Sequence, residues 1–261
     1  MVETDSSGSD EREIIWGINT VREALQQSPE RLSDIFIQKG KAGPRIQQII
    51  DEARKHPVRL RFVDASRLGV PRKCSHQGVA ARLSAVPLQF LEELLLTLEP
   101  PEKISTARIL VLDSIQDPRN LGSILRSALG AGFLHVIMTR ERSSPLSATV
   151  FSASAGAISH LNICRVGNVN NALARIKESG FWVYGAVTPD ADKVSSIYKT
   201  DFSGKTCLVI GGEEKGIRPL VRQHCDYLVT IPMDSFFDSL NASVAAAVIM
   251  FEIKRQSLIK E

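Results

Sequence analysis

Gln116-Asp117-Pro118-Arg119-Asn120-Leu121-Gly122-Ser123-Ile124-Leu125-Arg126-Ser127-Ala128 decides the fold. It follows an apolar run, Arg108-Ile-Leu-Val-Leu-Asp113, that predicts a fully buried strand. It passes into helical spacing, with Leu121, Ile124, Leu125 and Ala128 on one side. Asp117-Pro118 signals a turn, and Asn120 suits a helix N-cap. The expectation is a strand, a turn and a helix, with Asn120 at the carboxyl end of the strand. Arg126, two turns along, is expected to face the same crevice, which is where open α/β sheets bind ligands. An arginine and an asparagine aimed there suit a polar, phosphate-bearing substrate.

Downstream the chain keeps alternating. Apolar runs recur at 134–138, 161–166, 181–187, 207–210 and 228–231, with helical patterns between most of them, notably 168–179 and 239–259. Continuously apolar strands with intervening helices predict an α/β domain whose mostly parallel sheet is covered on both faces. Upstream lies a smaller α/β unit. Structure begins at Ile14-Ile-Trp-Gly17, with helical spacing at Val21, Ala24 and Leu25. Strands are predicted at 33–38, 58–63 and 79–83, and a helix at 44–54 with Pro44 in its first turn. Residues 88–98 predict a short amphipathic helix stopped by Pro100-Pro101. The expected division is a disordered tail at 1–12, an N-terminal unit at 13–85, a linker at 86–106 and a C-terminal domain at 107–261.

With 261 residues, 43% hydrophobic and 23% charged, the composition is that of a soluble globular protein. A net charge of +3 does not by itself mark a nucleic-acid binder. Cys74, Cys164, Cys207 and Cys225 are scattered without a CxxC pair, which suits reduced structural thiols in the cytoplasm. No apolar run approaches the roughly 20 residues of a membrane span, and the polar, acidic start is unlike a signal peptide. His56, His135, His160 and His224 stand alone, and no metal-ligand spacing occurs. The small-residue stretch Ser152-Ala-Ser154-Ala-Gly156 suits packing, since no GxSxG surrounds it.

Two further motifs carry chemistry. Leu208-Val-Ile-Gly211-Gly212-Glu213-Glu214-Lys215-Gly216-Ile217 runs from a strand into a glycine-rich turn that suits close backbone approach to a ligand. It is neither a Walker loop nor GxGxxG. Its two carboxylates would repel a phosphate, so a ligand with cationic character fits better; a tight turn with an exposed Glu pair is the alternative. In Ile231-Pro232-Met233-Asp-Ser-Phe-Phe-Asp-Ser239-Leu240-Asn241-Ala242-Ser243 a strand ends at the proline, and Ser239 or Asn241 caps a long, alanine-rich helix. In the N-terminal unit the exposed positions are basic: Arg45, Arg54, Lys55, Arg59, Arg61, Arg67, Arg72 and Lys73. Two readings stand, a solvated face offset by local acids or an RNA-docking surface, with Arg72-Lys73 beside His76-Gln77-Gly78 as the densest cluster.

Together, DPRNLGSILRSA, LVIGGEEKGI and IPM…SLNASVA resemble, in order and spacing, the SpoU family of knotted RNA ribose methyltransferases. The opening WGINTVREAL and closing HQGVAA of the first unit are similar to the substrate-binding domain of members that methylate guanosine 2′-O in 23S rRNA. The resemblance implies a SPOUT fold, in which a deep trefoil knot in the C-terminal third binds S-adenosylmethionine. It also implies an L30e-like RNA-binding N-terminal domain and a homodimer formed through the C-terminal helices. Carried over by motif, Asn120, Arg126, Glu213, Ser239 and Asn241 match catalytic positions, and Gly211, Ile231 and Leu240 match the donor pocket. Arg72, Lys73, His76 and Gln77 are the RNA-binding candidates. The implied reaction is in-line methyl transfer to a ribose 2′-hydroxyl in a ribosomal RNA hairpin loop, without a metal. A guanidinium holds its proton tightly, so Arg126 suits gripping the adjacent phosphate better than acting as a base. In this scheme Asn120 and Glu213 hold Arg126, while Ser239 and Asn241 orient donor and ribose. The alternatives are a tRNA ribose or rRNA adenosine target, or a non-catalytic RNA-binding assembly factor.

Overall fold

The computed structural model describes residues 14–71, 74–84, 86–98, 107–189, 193–234 and 239–259. The chain forms two compact units, divided between Val86 and Pro87.

The first unit starts with β1 (Ile14–Trp16) and α1 (Ile18–Gln27), continues through β2 (Leu32–Gln38), α2 (Pro44–Ala53) and β3 (Arg59–Val63), and ends with β4 (Val79–Leu83). Its sheet has the order β1-β4-β2-β3, with β2 and β3 parallel and β4 antiparallel to both its neighbours. Val21, Ala24 and Leu25 of α1 and Ile46, Ile49, Ile50 and Ala53 of α2 are buried, as the helical spacing requires. Pro44 opens α2, where its missing N–H costs no hydrogen bond.

The second unit begins with β5 (Leu88–Gln89) and α3 (Leu91–Leu96). It proceeds through β6 (Arg108–Asp113), α4 (Pro118–Ala131), β7 (His135–Thr139), α5 (Ala148–Ala153), β8 (Asn162–Val166), α6 (Val169–Glu178), β9 (Trp182–Ala186), β10 (Val194–Ser196), β11 (Thr206–Gly211), α7 (Pro219–Gln223), β12 (Tyr227–Thr230) and α8 (Ala242–Ile259). The eight strands lie in the order β10-β12-β9-β11-β6-β7-β8-β5, and every described pairing is parallel. From β6 the chain steps outward to β7 and β8, then crosses over and inserts β11 between β9 and β6. Strand order therefore reverses beside β6 and β11, and such a reversal leaves a crevice at the carboxyl ends. After β12 the chain returns to the centre, where α8 packs on α4 and β11.

Two local expectations are corrected. Leu88–Gln89, expected within one helix, is a strand paired with Ile163–Cys164, and the helix that follows spans only 91–96. Glu93 Oε2 accepts the N–H of Phe90 at 3.2 Å, so the chain bends there and the helix starts late. The N-cap of α4 is Asp117, not Asn120. Asp117 Oδ1 accepts the amides of Arg119 (2.6 Å) and Asn120 (3.4 Å). Pro118 is the first helical residue and needs no capping partner. Asn120 thus lies inside the first turn with its side chain free for another bond. The short strand β10 falls where no apolar run marks one.

Candidate active site

The carboxyl ends of β9, β11 and β12 open onto a cavity of about 370 Å³. Its walls include Gly211, Glu213, Ile231, Ser239 and Leu240, all singled out by sequence. The glycine-rich turn is built by backbone packed on backbone. A Cβ on Gly211 would lie 2.0 Å from the carbonyl carbon of Gly216 and 2.1 Å from the nitrogen of Ile217. A Cβ on Gly212 would lie 2.5 Å from the Ser114 carbonyl oxygen. Gly216 N–H donates to the Gly212 carbonyl at 2.9 Å, and Gly216 adopts φ +59°, the left-handed region that glycine enters without cost. Glu213, Glu214 and Lys215, between the two ends of this turn, are exposed and line the cavity.

The far end of this turn is fastened by a residue that sequence reasoning missed. Asp113, the last residue of β6, is fully buried. Its Oδ2 accepts the backbone N–H of Arg218 at 3.0 Å, and its Oδ1 accepts the Arg218 Nε–H at 2.7 Å. The available signal was a lone carboxylate ending an otherwise apolar strand, since such a group must find a cation or several N–H donors.

The three motifs meet in one hydrogen-bonded chain. Asn120 Nδ2–H donates to Glu213 Oε1 at 2.8 Å, and Asn241 Nδ2–H donates to Asn120 Oδ1 at 3.1 Å. Asn241 Oδ1 accepts the backbone N–H of Ser243 at 2.9 Å and its hydroxyl at 2.7 Å, so Asn241, rather than Ser239, caps α8. The bonded partners lie 93 and 121 positions apart in sequence.

Arg126 is placed differently from the expectation. It is exposed, does not line the cavity, and no bond from Asn120 or Glu213 reaches it among the described residues. Six residues of α-helix rotate a side chain by about 120° from the starting one, so Asn120 and Arg126 project in different directions. Asn120 and Glu213 bind each other instead of holding Arg126.

In the first unit, Gln77 joins its two sequence signatures, while His76 bonds within the closing one. Gln77 Oε1 accepts the N–H of Ile18 at 3.0 Å, capping α1 in place of the side chain that Gly17 lacks. His76 Nδ1 accepts the N–H of Gly78 at 3.0 Å. Arg72 and Lys73 lie outside the described residues.

The cavity has apolar walls (Ile210, Ile217, Ile231, Leu240, Ile249) and a charged rim of Glu213, Glu214, Lys215 and Arg222, which suits a small ligand that is part apolar and part polar. Among the described residues no group of three or more His, Cys, Asp or Glu side chains could hold a metal ion. The fold is that of the SpoU-type methyltransferases. Residues 107–251 match the SpoU rRNA Methylase family and residues 14–89 the RNA 2′-O ribose methyltransferase substrate binding family, and the chain belongs to the SpoU rRNA methylase family. It is 38% identical over 251 residues to the 23S rRNA (guanosine-2′-O-)-methyltransferase RlmB of Xanthomonas campestris pv. campestris, covering 96% of this chain and 99% of that one. The RlmB of Xylella fastidiosa strain 9a5c is 38% identical over 243 residues, covering 93% and 96%. The SpoU methyltransferase AviRb from Streptomyces viridochromogenes, in complex with the cofactor AdoMet, shares the fold: TM-score 0.73, 21% identity, 94% of this chain and 90% of that one.

Proposed function

We propose that the protein transfers a methyl group from S-adenosylmethionine to the ribose 2′-hydroxyl of a guanosine in 23S ribosomal RNA. The observation that carries this reading is the bonded chain Glu213–Asn120–Asn241 at a cavity walled by Gly211, Ile231 and Leu240. A cavity of about 370 Å³ with apolar walls and carboxylates at its rim fits a donor that carries a sulfonium and an adenosine. S-adenosylmethionine supplies an electrophilic methyl on a sulfonium, which leaves positioning and proton removal to the protein. Gly211, Ile231 and Leu240 hold the donor through backbone and apolar contact. Asn120, Glu213, Ser239 and Asn241 orient the ribose oxygen toward it. Arg126 would grip the phosphate beside that ribose; the methyl's bond to sulfur would break as its bond to the ribose oxygen forms, leaving a neutral thioether, and the hydroxyl proton would leave by way of that phosphate.

Arg126 serves a cavity it does not line because the protein works as a homodimer. α8 carries no charge over residues 242–251, and Val244, Phe251 and Leu258 stand exposed at seven-residue intervals. Exposed apolar side chains repeating along one helix suit an interface. Lys254 of α8 donates to the Gly130 carbonyl at 2.7 Å, and Arg126 lies one turn before Gly130, beside the same surface. Phe251→Asp is expected to sediment as a monomer and to lose methyl transfer; a native dimer with this substitution removes α8 from the interface. A ribosomal RNA substrate accords with a cytoplasmic protein.

The test of function is 2′-O-methyl mapping of rRNA and tRNA in cells lacking the gene. The wild-type chain should restore one guanosine mark in 23S rRNA. Arg126→Ala should slow transfer by about 10²-fold or more in vitro with donor binding retained. A mark restored in tRNA would move the substrate, and near-full activity of Arg126→Lys would sink bidentate phosphate gripping.

A further inference from the structure

We propose that Arg59, Arg61 and Arg82, on one face of the N-terminal sheet, form a docking patch for RNA backbone phosphates; this rests on the RNA-methyltransferase reading above. The register places Arg59, Asp34 and Arg82 side by side across β3, β2 and β4, with Arg61 and Phe36 in the next row of the same face. The opposite face carries Ile35, Ile37, Val79 and Ala81, all fully buried. Asp34 is itself buried, at 5% exposure. Its Oδ1 accepts the Arg61 Nε–H at 2.7 Å, its Oδ2 lies 3.5 Å from Arg82 Nη1, and the Arg82 guanidinium stands 5.2 Å from the Phe36 ring centre.

One carboxylate therefore orients two guanidinium groups and neutralises only one of them. Arg61 makes no bond through either Nη group among the described residues, and its side chain is 51% exposed. Arg59 is exposed and has no hydrogen bond or ion pair among the described residues. The patch presents three arginines against one acid. The two basic residues that follow α2 behave otherwise: Arg54 lies 3.6 Å from Asp51, and Lys55 lies 2.8 Å from Glu52, so each is balanced locally.

β3 is an edge strand, and charges there also deter pairing with other chains. That explanation accounts for Arg59 and Arg61. It does not account for Arg82, which lies on β4 between β1 and β2, nor for a buried aspartate that fixes the guanidinium directions. Pre-oriented planar guanidinium groups suit phosphate oxygens, and structured RNA is recognised largely through its shape and backbone.

The experiment uses the full chain and a protein-free 23S rRNA transcript, with binding measured across a series of potassium chloride concentrations. Arg59→Gln removes a side chain without structural bonds. It should weaken binding about fivefold near physiological salt and lower the log–log salt slope by about 0.7–0.9. A second variant, Asp34→Asn with Arg61→Gln, removes one charge of each sign, so no buried carboxylate is left alone, and should weaken binding by disordering Arg82. Donor binding is followed in parallel by calorimetry. Unchanged affinity and slope in both variants, with donor binding intact, would overturn the patch alone. A wild-type chain that binds no S-adenosylmethionine would overturn the methyltransferase reading instead.

Discussion

Two buried aspartates, one in each unit, put the same ion chemistry to different uses. Asp113 ends β6 and is fully enclosed; a single arginine meets it twice, through its main-chain N–H and its guanidinium. The result is a fastening that holds the end of the glycine-rich turn to the central strand. Asp34 sits in β2 and shares its two oxygens between Arg61 and Arg82. Neither arginine adds its own main-chain N–H to that cluster, and surplus positive charge faces outward. What separates a fastener from a display is the number of cations for each carboxylate, and whether the cation's own backbone joins the bond. The first arrangement suits a turn whose main chain must not move; the second suits the phosphate docking proposed above.

The largest expected effect tests that contrast directly. Arg218→Ala takes the cation from enclosed Asp113, which keeps the main-chain N–H of residue 218 and the Ser114 hydroxyl; because the Arg218 side chain is 37% exposed, the cost should lie at the low end for a pair broken on one side, about 3 kcal/mol. Arg61→Ala leaves Asp34 with Arg82, and the cost should be nearer about 1 kcal/mol. The two tryptophans, Trp16 and Trp182, fall in different units, so urea unfolding of single-tryptophan variants reports each unit separately. Equal costs for the two substitutions would erase the distinction between fastening and display.

Much of this organisation is legible in the sequence. Continuous apolar runs locate β6, β7, β8, β9, β11 and β12, because strands buried on both faces leave little room for polar residues. The weaker elements, β5 and β10, lack that signature; a two-residue edge strand and a three-residue one are stabilised by their neighbours rather than by their own composition. At the site, Gly211 and Asn241 are readable because backbone approach and helix capping each demand particular residue types. Asn120 is harder to read, since Asp117 and Asn120 both suit an N-cap and only the position of Pro118 decides between them. Arg126 shares a motif with Asn120 but not a direction, because the rotation between two residues of one helix sends it away from its own cavity. Asp113 and Arg218 lie 105 positions apart, and no local pattern announces such a pair.

The smallest effect concerns the third polar cluster, which is neither a buried fastener nor a charge display. Asn120 is half-buried, while Glu213 and Asn241 are exposed, so their bonds compete with water and contribute little to stability. Their worth lies in holding three loops at one rim. Asn120→Ala and Asn241→Ala are each expected to slow single-turnover methyl transfer by about tenfold, equivalent to about 1.4 kcal/mol. Because each substitution breaks the bond between the two residues, the double variant should be only about twofold slower than either single one, with a coupling energy of about 1 kcal/mol. The measurement is a double-mutant cycle on the single-turnover rate at saturating donor and RNA. Strictly additive losses would mean that Asn120 and Asn241 act independently, and that the bond joining the first motif to the third is incidental to transfer.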